Sequence, residues 1–280
     1  MKCALFSGCR PGFDIPQHPT SAKAVLSRLN VGVEELDFGC CGYPVKEKSL
    51  DAYLLLAIRN LAIAQARHLP ILTLCKCCFG ALKQAEHYLA TDREKLNTIN
   101  SILEKEGLHY RSGGVKIYHM LTFLDQEIDK GVIQRSIVHS LDGIKVAASY
   151  GCHALRPSAI TGLDTQPNAP TIFERIIQLT GAEPVQWSKG LDCCGNPLLE
   201  KNDDLAREFV LGKYETAKQE GADIICTACN YCHIQFEYGR ALILKSGLTK
   251  PIPAVLLSQL LGQAMGLEKS LPGIESESAA

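Results

Sequence analysis

One short string occurs twice in this 280-residue chain and limits what it can fold into. Residues 39–44 read Gly-Cys-Cys-Gly-Tyr-Pro, and residues 192–197 read Asp-Cys-Cys-Gly-Asn-Pro. Each copy sits at the same place in a longer cysteine series. A lone cysteine comes first (Cys9, Cys152), then the vicinal pair (Cys40 and Cys41, Cys193 and Cys194), then Cys-x-x-Cys (Cys75 and Cys78, Cys229 and Cys232). The shift between copies is 143 at Cys9, 153 at Cys40, and 154 at Cys75 and Cys78. Drift that small, taken up in loops, is what a duplicated unit leaves behind.

The thirteen cysteines bear on the compartment. The chain is 46% hydrophobic, long enough to build its own core, and needs no disulfide framework to fold. Clustered thiols in such a chain point to metal binding or redox chemistry in a reducing compartment. Net charge is −1, which gives no field for nucleic acid or a membrane surface. No apolar run reaches the roughly 20 residues that span a bilayer, and Met1–Phe6 is too short for a secretory signal. A cytoplasmic location is expected, with no nucleic-acid partner and no membrane span.

The pattern predicts an α/β fold: two pseudo-symmetric duplicated units, each a small, mainly parallel sheet flanked by helices. In the first, strands are expected at 2–7, 33–38 and 71–74. Helices are expected at about 21–30 (capped by Thr20 or Ser21), 49–68, 78–90 and 92–105, with one further element at 115–124. In the second, strands are expected at 144–149, 184–187 and 223–225, a Pro-rich polar loop after Cys152, and helices at 170–180, 203–220 and 233–245. An apolar helix is expected over 253–267. The domains are expected at 1–140 and 141–268, with 269–280 a frayed tail. Ligand groups of an open parallel sheet gather at the carboxyl ends of its strands, so the cysteines of each half should converge on one sheet edge.

Five thiols per half exceed what one zinc ion or one cubane cluster takes. In a tight loop followed by glycine, vicinal cysteines can straddle a larger inorganic core. Gly42 and Gly195 allow close backbone approach, and Pro44 and Pro197 stiffen the exit. With these motifs the chain resembles the B-type polypeptide of heterodisulfide reductase and its relatives, over about residues 1–265. The resemblance implies a noncubane 4Fe–4S cluster in each half. Its ligands would be Cys9, Cys40, Cys41, Cys75 and Cys78 in the first, and Cys152, Cys193, Cys194, Cys229 and Cys232 in the second. It further implies a cleft between two clusters where a disulfide is split, each cluster supplying one electron. The implied partners are a ferredoxin-type protein, like the C-type polypeptide of that complex, and a flavin-containing protein, like its A-type polypeptide. Relatives work on disulfides or on carrier-bound sulfur, in either direction. The chain has no Gly-x-Gly-x-x-Gly after a strand and no four-cysteine ferredoxin run, so its electrons must come from or go to another protein.

Three cysteines lie outside the series. Cys3 and Cys226 fall on apolar strands and read as core. Cys77 competes with Cys75 for a place in the motif, and the repeat favours Cys75 with Cys78. His153, directly after Cys152, is the candidate catalytic residue, as a hydrogen-bond or proton donor near the cleft; the alternative is a solvated loop histidine. His233 is a weaker candidate of the same kind, and His119 reads as core or interface. Lys46 and Lys76 either offset cluster charge or are surface lysines. Trp187 reads as core. Three rival functions stand beside the main one: an electron relay in a flavin-dependent lactate, glycolate, succinate or fumarate redox complex, a pure electron-transfer protein, and a zinc-binding scaffold.

Overall fold

A computed structural model describes residues 1–8, 15–247 and 250–267. The first half runs β1 (Lys2–Phe6), α1 (Gln17–Arg28), β2 (Gly32–Glu34), α2 (Leu50–Ala66), β3 (Ile71–Thr73), α3 (Lys76–Thr91), α4 (Arg93–Leu103), β4 (Ile117–His119), α5 (Met120–Gln126) and α6 (Lys130–Ser136). The second runs β5 (Lys145–Ser149), α7 (Cys152–Leu155), α8 (Ser158–Thr161), α9 (Ile172–Gln178), β6 (Glu183–Val185), α10 (Asp203–Gln219), β7 (Ile224–Thr227), α11 (Asn230–Ser246), β8 (Ala254–Leu256) and α12 (Leu257–Ala264).

Each half builds one four-stranded sheet, ordered β2-β1-β3-β4 in lobe one and β6-β5-β7-β8 in lobe two. All neighbouring strands are parallel. Helices cover the sheets, so the central strands β3 and β7 are buried along their whole length and read as continuous apolar runs. The strand order reverses between β1 and β3, and between β5 and β7. The crevice for a ligand therefore opens at the carboxyl ends of those strands, which feed Cys75, Cys152 and Cys229.

Helix starts follow local chemistry. The Ser49 hydroxyl accepts from Ala52 N at 3.2 Å to open α2, and the Asn202 side chain accepts from Leu205 N at 3.1 Å to open α10. Helix α1 begins at Gln17, four residues before the expected start, with Pro19 inside its first turn. The first-turn N–H groups have no helical partner, so proline costs little there. The stretch just before the expected domain boundary at 140 holds α6, capped by Asp129 and anchored by fully buried Ile133. The loop expected after Cys152 contains α7 and α8, both packed on α3 of lobe one. The single helix expected over 253–267 is instead strand β8 followed by α12, because 254–256 pairs with β7.

The lobes meet in a reciprocal way. Helix α12 packs on α1, where the Ser21 and Ser258 hydroxyls lie 2.7 Å apart, and α5 packs on α9. Asp125 at the end of α5 takes a two-pronged contact from Arg175 of α9, at 2.9 and 3.3 Å. His119 is fully buried: its Nδ1 accepts from Leu121 N, which leaves Nε2–H to donate to Ala228 O of the other lobe at 2.9 Å. Cys3 and Cys226 are core residues on β1 and β7, and Trp187 is half-buried with its indole N–H donating to Ala148 O. The expected tail, 269–280, lies outside the described residues.

Candidate metal centre

Both vicinal cysteine pairs sit in loops whose glycine has a left-handed backbone, φ +82° at Gly42 and +88° at Gly195. A Cβ on Gly42 would come within 2.7 Å of Tyr53 O on α2, and one on Gly195 within 2.8 Å of Ala206 O on α10. Only glycine lets the loop lie against its helix this closely. The same turn points the Gly42 N–H at Cys40 Sγ and the Gly195 N–H at Cys193 Sγ, both at 3.4 Å.

Cys75 and Cys229 come two residues after their strands with extended backbone, and α3 and α11 begin immediately after them. The Cys-x-x-Cys pairs therefore straddle a helix N-terminus, and Cys78 and Cys232 lie one turn in. There they meet the glycines that close β1 and β5. A Cβ on Gly8 would stand 3.3 Å from Cys78 Sγ, and one on Gly151 would stand 3.2 Å from Cys232 Sγ.

Together the thiols form one unbroken series of sulfur contacts. In order it runs Cys40, Cys41, Cys78, Cys75, Cys229, Cys232, Cys194, Cys193 and Cys152. Up to Cys152, whose counterpart Cys9 lies outside the described residues, the repeat relates the two arms of the series, which join at the Cys75 Sγ to Cys229 Sγ contact of 3.8 Å at the seam. Nine of the ten motif cysteines are thus brought together, and Cys9 lies outside the described residues. Cys77, outside the repeated motif, also reaches the seam. Cys75, Cys77 and Cys229 offer sulfurs all within 4.8 Å of one another. Its place there depends on how the lobes pack, which no local motif displays.

Thiols this crowded cannot all ionise unaided. Contact with the thiols of Cys152 and Cys194 holds Cys193 well below the usual thiol range, whereas contact with Cys193, then burial, pushes Cys152 far up. Likewise Cys229 is held low by Cys232, Cys75 and Cys77, while Cys78 and Cys232 are pushed up by Cys41 and Cys194. A cation among the sulfurs would remove this conflict by deprotonating them together. The donor set is soft and all-sulfur, it outnumbers a four-coordinate zinc site, and glycines clear space around it. The residues present therefore fit an iron–sulfur group.

His153 is half-buried on α7. Its Nδ1 lies 3.4 Å from Cys152 Sγ and 3.7 Å from Cys77 Sγ, and its ring meets the edge of Tyr43 at 4.6 Å. Burial lowers its pKa. It also lines a cavity of about 710 Å³ with Cys152, Tyr43, Lys46, Arg156 and Lys201. His233 is buried and carries no hydrogen bond at Nδ1 among the described residues. Lys76 is buried rather than at the surface, and Lys46 is partly buried at the cavity wall.

The family model of the cysteine-rich CCG domain matches residues 3–83 and again 146–237. The chain is 34% identical over 281 residues to the B-type polypeptide of the ferredoxin:CoB-CoM heterodisulfide reductase of Methanosarcina mazei, covering 98% of this chain and 92% of that protein. It is 30% identical over 275 residues to a protein of Archaeoglobus profundus described as like that same B-type polypeptide, covering 96% and 92%. It is 32% identical over 268 residues to the 8-methylmenaquinol:fumarate reductase membrane anchor subunit of Wolinella succinogenes, covering 94% and 92%. A hypothetical protein from Helicobacter pylori of known crystal structure shares the fold at a TM-score of 0.73 and 20% identity; 96% of this chain aligns, and it spans about half, 49%, of that one. With both cysteine units matched and a third of its residues identical over nearly its full length, the chain belongs to the heterodisulfide reductase B-type family of cysteine-rich CCG proteins.

Proposed function

We propose that this chain is the iron–sulfur subunit of a heterodisulfide reductase-like complex that cleaves or forms a disulfide, or oxidises a carrier-bound sulfur. Cys9, Cys40, Cys41, Cys75 and Cys78 would hold one noncubane 4Fe–4S cluster, and Cys152, Cys193, Cys194, Cys229 and Cys232 a second. The observation that carries this reading is the sulfur series joined at Cys75 and Cys229, which gathers nine of the ten motif cysteines at one seam. When bound, the clusters would supply single electrons, and two of them match the two electrons of one sulfur–sulfur bond.

The chain's own residues prepare the substrate side. The cavity beside Cys152 carries Lys46, Arg156 and Lys201 against one acid, Glu47, so it suits a substrate with acidic groups. His153 stands at its wall, close to two sulfurs, and can hold or move a proton at a thiolate. Tyr43 packs on its ring and fixes its orientation. Electrons pass to or from a ferredoxin-type protein and a flavin-containing protein in the cytoplasm. Among the described residues no helix is long and apolar enough to cross a membrane.

The test is iron and sulfide quantification on anaerobically purified protein, with electron paramagnetic resonance before and after adding candidate disulfides. About eight irons per chain are expected. Cys41→Ala should lose the first set of iron and the activity while keeping most of the second. Colourless, iron-free wild type, or full turnover by Cys41→Ala, would overturn the reading.

A second reading has one specific support, the likeness to the Wolinella succinogenes fumarate reductase protein. In it the chain relays electrons to a partner flavin and never touches substrate sulfur. Spectra that stay unchanged on adding any disulfide would favour it.

A further inference from the structure

The two lobes match in shape but differ in buried charge. Asn60 and Lys213 hold the same position in two 17-residue helices, α2 and α10. Each is 1% exposed, and each clamps the loop that carries its lobe's vicinal cysteines. Asn60 accepts from Gly39 N at 2.8 Å and donates to Cys40 O at 3.0 Å. Lys213 donates to Asp192 O at 3.0 Å and to Lys189 O, with its ammonium 4.8 Å over the Trp187 ring. An amide does this work in lobe one, so the charge at 213 is not needed to hold the loop.

A second pair repeats the difference. The residue after the leading cysteine of Cys-x-x-Cys is Lys76 in lobe one and Asn230 in lobe two. Each crosses the seam to the strand end of the other lobe: Asn230 Nδ2 donates to Ser7 O at 3.0 Å, and Lys76 Nζ donates to Ser149 O at 2.8 Å. Because they cross, the lysine side chain lies on the lobe-two side of the seam. The point a Gly151 Cβ would occupy is 3.2 Å from Cys232 Sγ, 3.1 Å from Lys76 Cδ and 3.9 Å from Lys76 Nζ. At the matching point beside Gly8 stand Cys78 Sγ at 3.3 Å and the neutral Asn230 amide at 3.5 Å.

Both buried lysines therefore lie on the lobe-two side, and the residues that take the same places on the lobe-one side, Asn60 and Asn230, are asparagines. Lys46, beside the lobe-one loop, lies at the open cavity wall, where water screens it. Burial lowers the pKa of His18, His119 and His233, Glu174 is engaged by Tyr150, and the Asp192 carboxylate is half in solvent. A buried cation stabilises the more negative state of a nearby redox group, and net charge around the sulfurs is a main determinant of iron–sulfur potentials.

We infer that the Lys213 ammonium gives the lobe-two thiolate cage the higher reduction potential, so that an electron reaching the pair is held first in lobe two. The inference rests on the cluster reading proposed above. Burial lowers the Lys213 pKa only to about 8, which leaves it protonated at neutral pH.

Anaerobic potentiometric titration followed by electron paramagnetic resonance tests it, on protein whose iron and sulfide have been counted first. Wild type should show two midpoints, and Cys194→Ala should lose the upper one. Lys213→Gln should lower the upper midpoint and leave the other in place. Each tenfold change in electron distribution is about 59 mV. Lys213→Arg should restore the upper midpoint, which a merely structural role would not predict. If Lys213→Gln loses its iron, Lys213→Asn, which places the lobe-one amide at the same position, carries the same test. An iron-loaded neutral variant with both midpoints at wild-type values, or an upper midpoint that survives in Cys194→Ala, would overturn the inference alone. Iron-free wild type would overturn the cluster reading and this inference with it.

Discussion

Gly80 of α3 lies against His153 of α7 so tightly that a Cβ on Gly80 would come within 2.3 Å of the His153 carbonyl oxygen. The first lobe's Cys-x-x-Cys helix and the second lobe's candidate catalytic residue are thus in backbone contact. Two effects oppose each other in Gly80→Ala. Alanine favours the helix by about 1 kcal/mol. The added carbon forces the lobes apart, which costs about 1–3 kcal/mol in a packed interior. The clash wins because backbone, not a pliant side chain, stands in the way. Gly80→Ala should lower the thermal midpoint and reduce activity more than iron content. A variant as stable and active as wild type would show that α7 moves freely.

Gly42→Ala and Gly195→Ala combine two penalties of the same sign. The left-handed backbone costs an L-residue about 1–2 kcal/mol, and the new carbon meets helix backbone at 2.7 or 2.8 Å. Each variant should lose iron mainly from its own lobe. Asparagine tolerates the backbone angle but not the contact, so Gly42→Asn should fail as well. Iron retention by Gly42→Asn would mean that the angle alone matters.

The Asp125–Arg175 pair joins the lobes yet should contribute little. Its side chains are 19% and 37% exposed, and ion pairs of that kind are worth about 0.2–1 kcal/mol. Asp125→Ala should shift the thermal midpoint by no more than about 3 °C. A larger drop would show that the seam depends on this bridge rather than on α1 with α12 and α5 with α9.

Acid should loosen the seam through His18. This residue is 1% exposed on α1, and its Nδ1 contacts Asn230 Oδ1 of lobe two at 2.5 Å. Burial lowers its pKa from 6.5 to about 4. The folded value lies below the unfolded one, so the stability tied to neutral His18 is present above pH 6.5 and is lost as pH falls toward 4. The full difference is about 3 kcal/mol. Thermal unfolding followed between pH 7.5 and 4.5 should show a midpoint that falls less in His18→Gln than in wild type. Parallel curves would assign the acid sensitivity elsewhere.

Much of the architecture was legible because the signals were repeated or long. The two cysteine series foretold paired parallel sheets, and 17-residue helices such as α2 carried enough apolar period to be seen. Helices α7 and α8 have four residues each, too few to show a period, and they exist because α3 of the other lobe supports them. Helix α6 shows itself only through the Asp129 cap and buried Ile133. Strand β8 hid inside an apolar run that read as helix until β7 supplied its partner. At the candidate site the cysteines announced themselves by spacing. The contact of Cys77 with Cys229, and the clamps made by Asn60 and Lys213, did not, since each depends on surfaces more than a hundred residues apart or on comparing the lobes in space.

The reciprocal packing of α12 on α1 and of α5 on α9 bears on why the two units share one polypeptide. A single unit would have to find a twin from solution, whereas a covalent link makes that encounter independent of dilution. Identical twins would also be bound to a two-fold rule, every side chain appearing on both sides. Fusion releases that rule: position 60 can stay an amide while its image at 213 becomes an ammonium, and what began as a matched pair acquires a direction.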